Sequence, residues 1–302
     1  MYRKLLVTLD GSELSESILP YARIVARQLN LPVVLLRVVE SEVIDVAVDP
    51  KRNYSYSDAE QDLRTSSANY LKGIVETFAK GLTVDCFTLV GDPAEMIIGK
   101  ADEQAGTLVA MSTHGRSGMQ RWYLGSVADK VLHASKSPIL LVKGVKGSEP
   151  HDQEATINRI IVPLDGSPLA EQALPHATAV ALSLDAQIDM LRVYSLLTNA
   201  YYGEGYLPNF DEIADTVKEE ATDYLTIKND EFVTADVKHG DGVIEEGDAA
   251  AKIIELAQET PNSLIVMCSH GRSGISRWVL GGTADRVVRH SGDPVLVVRA
   301  VE

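Results

Sequence analysis

Two glycine-rich segments carry the residue types best suited to holding a phosphate. Met111-Ser-Thr-His-Gly-Arg-Ser-Gly-Met-Gln-Arg-Trp-Tyr-Leu-Gly125 and Met267-Cys-Ser-His-Gly-Arg-Ser-Gly-Ile-Ser-Arg-Trp-Val-Leu-Gly281 are near copies. Each follows a short apolar run and leads into a helical pattern. Gly115 and Gly118 lie in the first loop, Gly271 and Gly274 in the second. Glycines let a backbone approach an anion closely. Gly125-Ser126-Val127 and Gly281-Gly282-Thr283 then open the next helix. The first N–H groups of a helix lack intrahelical partners and sit at the positive end of its dipole. The Ser126 hydroxyl can donate to the same anion, and Ser126-Val-Ala-Asp129 has the spacing of a capping box. In one isolated loop the glycines would mean turns and no more. Two long, near-identical loops in the same context favour an anion cradle.

Two further pieces belong to the same chemistry. Thr8-Leu9-Asp10-Gly11-Ser12 ends the first strand, and Pro163-Leu164-Asp165-Gly166-Ser167 is its counterpart. A carboxylate there accepts hydrogen bonds from ribose hydroxyls or an adenine amine, reaches a metal, or merely closes an Asx turn before a helix. Val38 and Val193 end the second strand, where backbone groups can face a purine or simply finish the strand. In open parallel sheets, ligands sit beyond the carboxyl ends of the strands where the strand order reverses, so these pieces should meet there.

Other residues give weaker signals. Arg116 and Arg272 either clamp a terminal phosphate or are solvated loop arginines. His114 and His270 read as loop-packing residues, because neither has a neighbouring nucleophile with an evident third partner. Trp122 and Trp278 read as packing under the loops. Gly240-x-Gly242-x4-Gly247 lacks the Lys-Ser/Thr ending of a phosphate loop and reads as a turn. Cys86 and Cys268 form no CxxC pair, as expected of a reducing cytosol. The seven histidines show no metal-ligand spacing, so no protein-built metal site is expected.

The elements that must position these groups come in two sets. Leu5–Leu9, Leu35–Val38 and Val90–Ala94 recur as Ile160–Leu164, Met190–Val193 and Glu246–Ala250. The offset is 155 at Asp10/Asp165 and 156 at Gly115/Gly271. A near-constant offset along the whole chain means duplication of one domain, whereas a solenoid would repeat at shorter periods. The chain of 302 residues suits two domains of roughly 150. The polar seam from Gly144 to Asn158 divides it into residues 1–146, a linker at 147–157, and residues 158–302.

In the first copy, strands are predicted at Leu5–Leu9, Val33–Val39, Val84–Val90, Leu108–Met111 and Ile139–Val142. Helices are predicted at Ser12–Leu29 with Ser12 as N-cap, at about Asp58–Lys80, at Pro93–Gln104 and at Ser126–Ala134. The second copy follows suit, with a helix near Asp211–Asn229. Apolar strands alternating with helices imply a parallel sheet covered on both faces. Ser41–Ser57 and Leu196–Asn209 read as irregular, either surface insertions or lids.

Composition narrows the function. The formal charge is −15, with 17 basic and 18 acidic residues up to position 150 and 11 and 25 thereafter. Neither half has the basic excess that general nucleic-acid binding needs. No apolar run reaches the roughly 18 residues of a membrane helix, and the N-terminus does not read as a signal peptide.

Both halves resemble the universal stress protein domain, in tandem over essentially the whole chain. Its ATP-binding members carry G-x2-G-x9-G-[S/T] after the fourth strand. This chain reads Ser112-x2-Gly115-x9-Gly125-Ser126 and Cys268-x2-Gly271-x9-Gly281-Gly282. The strand-one Asp, the Gly-Asp-Pro helix start and the His-Gly-Arg-Ser-Gly loop also match. Ser112 and Cys268 depart from the leading glycine, and a side chain there crowds the nucleotide.

The resemblance implies two tandem Rossmann-like α/β domains of the adenine nucleotide alpha hydrolase type, each a five-stranded parallel sheet with helices on both faces. It implies ATP or another adenine nucleotide held between strands one and four, with Mg²⁺ or Mn²⁺. It also implies domains paired within the chain through their last strands, pairing of whole chains into a homodimer, and a cytoplasmic location. The function expected is a nucleotide-binding stress-response module whose first-domain site is the tighter. The alternatives are a member that acts by protein contact alone and a slow ATPase. No Walker lysine or evident base for water points to a dedicated enzyme.

Overall fold

The computed structural model describes residues 1–48, 54–113, 124–144, 154–195, 210–271 and 280–300, with backbone alone over 210–213. The chain divides into two compact units, Met1–Thr156 and Ile157–Glu302. The Tyr201, Tyr202 and Tyr206 stretch, both loop tryptophans and most of the linker lie outside the described residues.

The first unit runs β1 (Lys4–Thr8), α1 (Glu13–Glu16), α2 (Leu19–Gln28), β2 (Val33–Val39), α3 (Ser41–Ala47), α4 (Tyr56–Phe78), β3 (Val84–Val90), α5 (Pro93–Asp102), β4 (Thr107–Ser112), α6 (Ser126–Ala134) and β5 (Ile139–Val142). Its strands lie in the order β3-β2-β1-β4-β5, all parallel, with Leu5 opposite Val33 on one side and Leu108 on the other. β1, β4 and β5 are buried along their whole length. That is the expected result of covering both faces of a parallel sheet. Strand order reverses after β3. Right-handed crossovers therefore place α2 and α4 on one face and α5 and α6 on the other. Two contacts match this. The buried Arg23 of α2 donates to the Phe78 and Thr77 carbonyls at the end of α4, at 3.4 and 3.3 Å. Asp92, the N-cap of α5, accepts from Lys130 of α6 at 3.1 Å.

The second unit repeats the plan: β6 (Arg159–Pro163), α7 (Pro168–Glu171), α8 (Ala173–Leu184), β7 (Gln187–Tyr194), α9 (Phe210–Thr234), β8 (Val243–Glu246), α10 (Ala249–Glu259), β9 (Ser263–Cys268), α11 (Gly282–His290) and β10 (Val295–Val298). Its order is β10-β9-β6-β7-β8, again parallel. Among the described residues no helix is long and apolar enough to cross a membrane.

The structure corrects three sequence readings. The helix predicted over Ser12–Leu29 is two pieces in each unit, broken before Pro20 and Pro175. A proline has no N–H to give the carbonyl four residues back, so Glu16 and Glu171 each end a short first helix. The stretch from Ser41 is not wholly irregular: α3 forms because Ile44 packs fully buried against Val39 and Ala59. The capping box at Ser126 does not form. Gly125 is the N-cap, Ser126 is the first helical residue, and no side chain caps α6. A capping box does form at Ser55, whose hydroxyl accepts from Asp58 N–H while Asp58 accepts from Ser55 N–H.

Candidate functional site

The order reversal between β1 and β4 leaves a crevice at their carboxyl ends. In the first unit a cavity of about 350 Å³ opens there, lined by Thr8, Leu9, Asp10, Val38, Met111, Ser112, Gly125, Ser126 and Val127. Every described first-copy candidate thus lies on one wall or another of the same cavity. His114, Gly115, Arg116 and Gly118 lie outside the described residues. In the second unit a cavity of about 210 Å³ is lined by Pro163, Leu164, Asp165, Val193, Met267, Cys268, His270, Gly271, Gly281, Gly282 and Thr283. Arg272 and Gly274 are not described.

Each wall has a local cause. Asp10 follows β1, and its Oδ1 accepts from the Ser12 N–H at 2.9 Å and the Ser12 hydroxyl at 2.6 Å. Ser12 in turn accepts from Ser15 N–H and starts α1. Asp165 does the same with Ser167, at 2.9 and 2.6 Å. The Asx turn forms at both positions, and both carboxylates also lie on a cavity wall.

The glycine-rich loops are held at their bases. Gly125 N–H donates to Thr113 O at 2.7 Å, and Gly281 N–H donates to Ser269 O at 2.8 Å. A Cβ on Gly281 would sit 3.0 Å from that carbonyl, a tight contact that favours glycine in this closure. Both loops then enter a nine-residue helix that has no side-chain cap. The first-turn residues Ser126, Val127 and Ala128, and Gly282, Thr283 and Ala284, line the two cavities, and the first N–H groups of a helix lack intrahelical partners. These donors carry the positive end of the helix dipole.

The two cavities differ in chemistry. Ser112 of the first is replaced by Cys268, whose thiol burial pushes its pKa up to about 12. His270 shares a hydrogen bond between Nδ1 and the Ser269 hydroxyl at 3.1 Å. Its Nε2 is buried with no protein partner. Burial, reinforced by Arg299, holds the imidazole below its usual range. A neutral ring is thus present at neutral pH, able to accept or donate according to its tautomer.

Thiol reactivity tests this placement. Cys86 is exposed on β3 and Cys268 is buried. A thiol-specific chromogenic reagent added to native protein is expected to consume one thiol quickly. The second should react only on unfolding: burial raises the pKa of both thiols, but Cys268 is pushed up to about 12 and is closed to the reagent. Two fast thiols would mean that the second cavity is open around Cys268.

The sequence reading missed part of the first cavity. Arg37, Glu40, Val43, Leu63, Ser66 and Ser67 also line it. They come from β2, α3 and α4, and their convergence is tertiary. Only Arg37 had a local signal, because Leu-Arg-Val recurs in the second copy. The Gly240 motif proved structural. A Cβ on Gly240 would lie 2.8 Å from the buried Asp189 carboxylate, and Gly242 has φ +90°. It turns the chain into β8, and Gly247 precedes α10.

The fold and its duplication agree with comparisons to known proteins. The profile of the universal stress protein family matches residues 1–143 and again 156–299. The chain belongs to the universal stress protein family, as a tandem member. It is 24% identical over 299 residues to a universal stress protein of Mycolicibacterium smegmatis, covering 98% of this chain and 96% of that one. A universal stress protein of Methanocaldococcus jannaschii is 30% identical over 146 residues, 48% of this chain and 84% of its own. The crystal structure of a universal stress protein from Archaeoglobus fulgidus has the same fold, with a TM-score of 0.71 at 22% identity over 98% of both chains.

Proposed function

We propose that this universal stress protein is a regulatory module that binds an adenine nucleotide, ATP with Mg²⁺ or Mn²⁺, at the carboxyl end of each sheet. One observation carries the reading. In each unit the strand-one carboxylate, the end of strand two and an uncapped helix N-terminus line a single cavity. The chemistry suits the ligand. Helix N–H groups receive phosphate oxygens, Asp10 or Asp165 accepts hydrogen bonds from ribose hydroxyls or the adenine amine, and the backbone at Val38 or Val193 meets the purine. The cation in this reading is the one that the phosphates bring.

Regulation follows from the loops. Nucleotide that binds the ordered arrangement of a glycine-rich loop better than its alternatives shifts the loop toward that arrangement. The surface offered to a protein partner then changes with occupancy. In this reading the protein is not a dedicated enzyme.

A second reading has its own observation. Ser112 and Cys268 stand in the cavity walls where the family's nucleotide-binding motif has glycine. A member that works by protein contact alone would tolerate both side chains.

The nucleotide content of freshly purified protein separates the readings. Acid release followed by chromatography is expected to yield about one adenine nucleotide per chain, from the first unit. About two would support binding and remove the ranking of the sites. None, and none after incubation with Mg²⁺ and ATP, would favour the contact-only protein.

A further inference from the structure

The arginine of the repeated Leu-Arg-Val strand meets a glycine, a tyrosine and a glutamate in both units, joined in the second by Lys228, 3.0 Å from Glu171 Oε2. In the first, the Arg37 guanidinium lies 3.1–3.2 Å from where a Cβ on Gly11 would be. Its Cζ sits 4.9 Å from the centre of the Tyr70 ring. The Tyr70 hydroxyl donates to Glu16 Oε1 of α1 at 2.7 Å. In the second, Arg192 lies 3.1–3.3 Å from a Cβ on Gly166 and 5.5 Å from the centre of the Tyr224 ring. The Tyr224 hydroxyl donates to Glu171 Oε1 at 3.0 Å, and Arg192 NH1 donates to Leu164 O at 3.2 Å.

This constellation survives where the halves otherwise diverge. Ser112 has become Cys268, and Ser126 has become Gly282. The glycine, arginine, tyrosine and glutamate all remain. The contact also explains the glycine. Gly11 and Gly166 have φ +87° and +78°, a backbone state that glycine adopts without strain, and the guanidinium fills the space a side chain would take. A planar, permanently charged group stacked on an aromatic ring is held far more rigidly than a lysine ammonium would be. Burial and the glutamate keep each phenol protonated, so each remains a donor.

We propose that Arg37 and Arg192 are positioning residues for Asp10 and Asp165. Each guanidinium braces the Asp-Gly-Ser turn that aims the carboxylate into the cavity, and the Tyr-Glu pair fixes the guanidinium. The role rests on the nucleotide-binding reading above. Arg37 also reaches the cavity wall, so the test must separate bracing from direct contact with phosphate.

The full chain carrying Asp165→Ala, so that only the first site reports, is titrated calorimetrically with Mg-ATP and separately with adenosine. Adding Arg37→Met is expected to weaken both ligands by the same factor, about tenfold, the loss of one charge-assisted interaction. Arg37→Lys should recover part of that loss. Tyr70→Phe, which keeps the ring and removes only the bond to Glu16, should weaken both ligands by a smaller equal factor. It serves as the test if Arg37→Met does not fold. Unchanged affinity in Arg37→Met and Tyr70→Phe overturns the proposal. Loss for ATP with adenosine unaffected also overturns it, and makes Arg37 a phosphate contact. Failure of the unsubstituted chain to bind either ligand is a different result, which removes the nucleotide reading itself.

Discussion

Calorimetric titration of the full chain with Mg-ATP is expected to resolve two unequal sites, the first unit binding more tightly by about one to two decades. Three features point the same way. Ser126 is the first residue of α6 and its hydroxyl is not used to cap the helix. Its counterpart Gly282 has no hydroxyl, so one hydrogen bond to a charged oxygen is missing, an interaction worth about 1.5–3 kcal/mol. Thr283 lies on the cavity wall next to Gly282, one residue further into the helix. The second cavity also has, in place of the Ser112 hydroxyl of the first, the buried Cys268 thiol, a weaker hydrogen-bonding group. Its loop backbone already packs on the carboxylate, since a Cβ on Gly271 would collide with Asp165. Finally, the second half carries 25 acidic against 11 basic residues, where the first is nearly balanced. That field disfavours a polyphosphate anion. Asp165→Ala should leave the tight site and Asp10→Ala the weak one, while Ser126→Gly should bring the first site toward the second. Equal affinities in the two Asp variants would refute the ranking.

Replacing Arg159 by methionine should destabilise the second unit by about 3 kcal/mol. Asp189 points from the middle of β7 and is buried, with its side chain 9% exposed. Its Oδ2 accepts from Arg159 Nε at 2.5 Å and its Oδ1 from Gln187 Nε2 at 3.0 Å. Removing the cation strands a carboxylate that water barely reaches. Because the arginine itself is 40% exposed, the cost should fall at the low end of the range for broken buried pairs. The comparison pair is Lys238–Asp185, whose side chains are 59% and 82% exposed. Breaking it should cost about 1 kcal/mol or less. Urea unfolding followed by a probe in each unit reads both, and the two units need not melt as one. An Arg159→Met protein within 1 kcal/mol of the parent would mean that Gln187 and solvent suffice for Asp189. The double variant Arg159→Met with Asp189→Leu is expected to recover most of the loss, because a packed apolar pair has no charge to desolvate.

How far the sequence could be read depended on whether the cause was local. β2, β3, α6 and β5 span the residues that the apolar pattern marks for them. Asp92 and Pro93 mark the start of α5, and Ser12 caps α1 as expected. Pro20 and Pro175 carried a break signal that the apolar spacing around them masked. At Ser126 the local pattern misled. Ser-x-x-Asp fits a capping box, but the Gly125–Thr113 hydrogen bond closes the loop one residue earlier and sets where the helix begins. α3 was hidden for a different reason. Seven residues are too few to show helical periodicity, and Ile44 stabilises the turn through contacts with Val39 and Ala59. The same division holds for the site. Its glycines, Asp10 and Asp165 lie within repeated strings that read as motifs. Glu40, Leu63 and Ser67 arrive from separate elements, and no spacing along the chain relates them to Asp10.

The hydrogen bonds at the loop bases also bear on engineering. Each spans 12 positions, 125 − 113 and 281 − 269, and each joins the end of a central strand to the start of the last helix. The anchor points are therefore set by the sheet, whatever length of chain runs between them. For any engineered form of the chain, amide hydrogen exchange at Gly125 and Gly281 therefore reports whether each loop base is still closed.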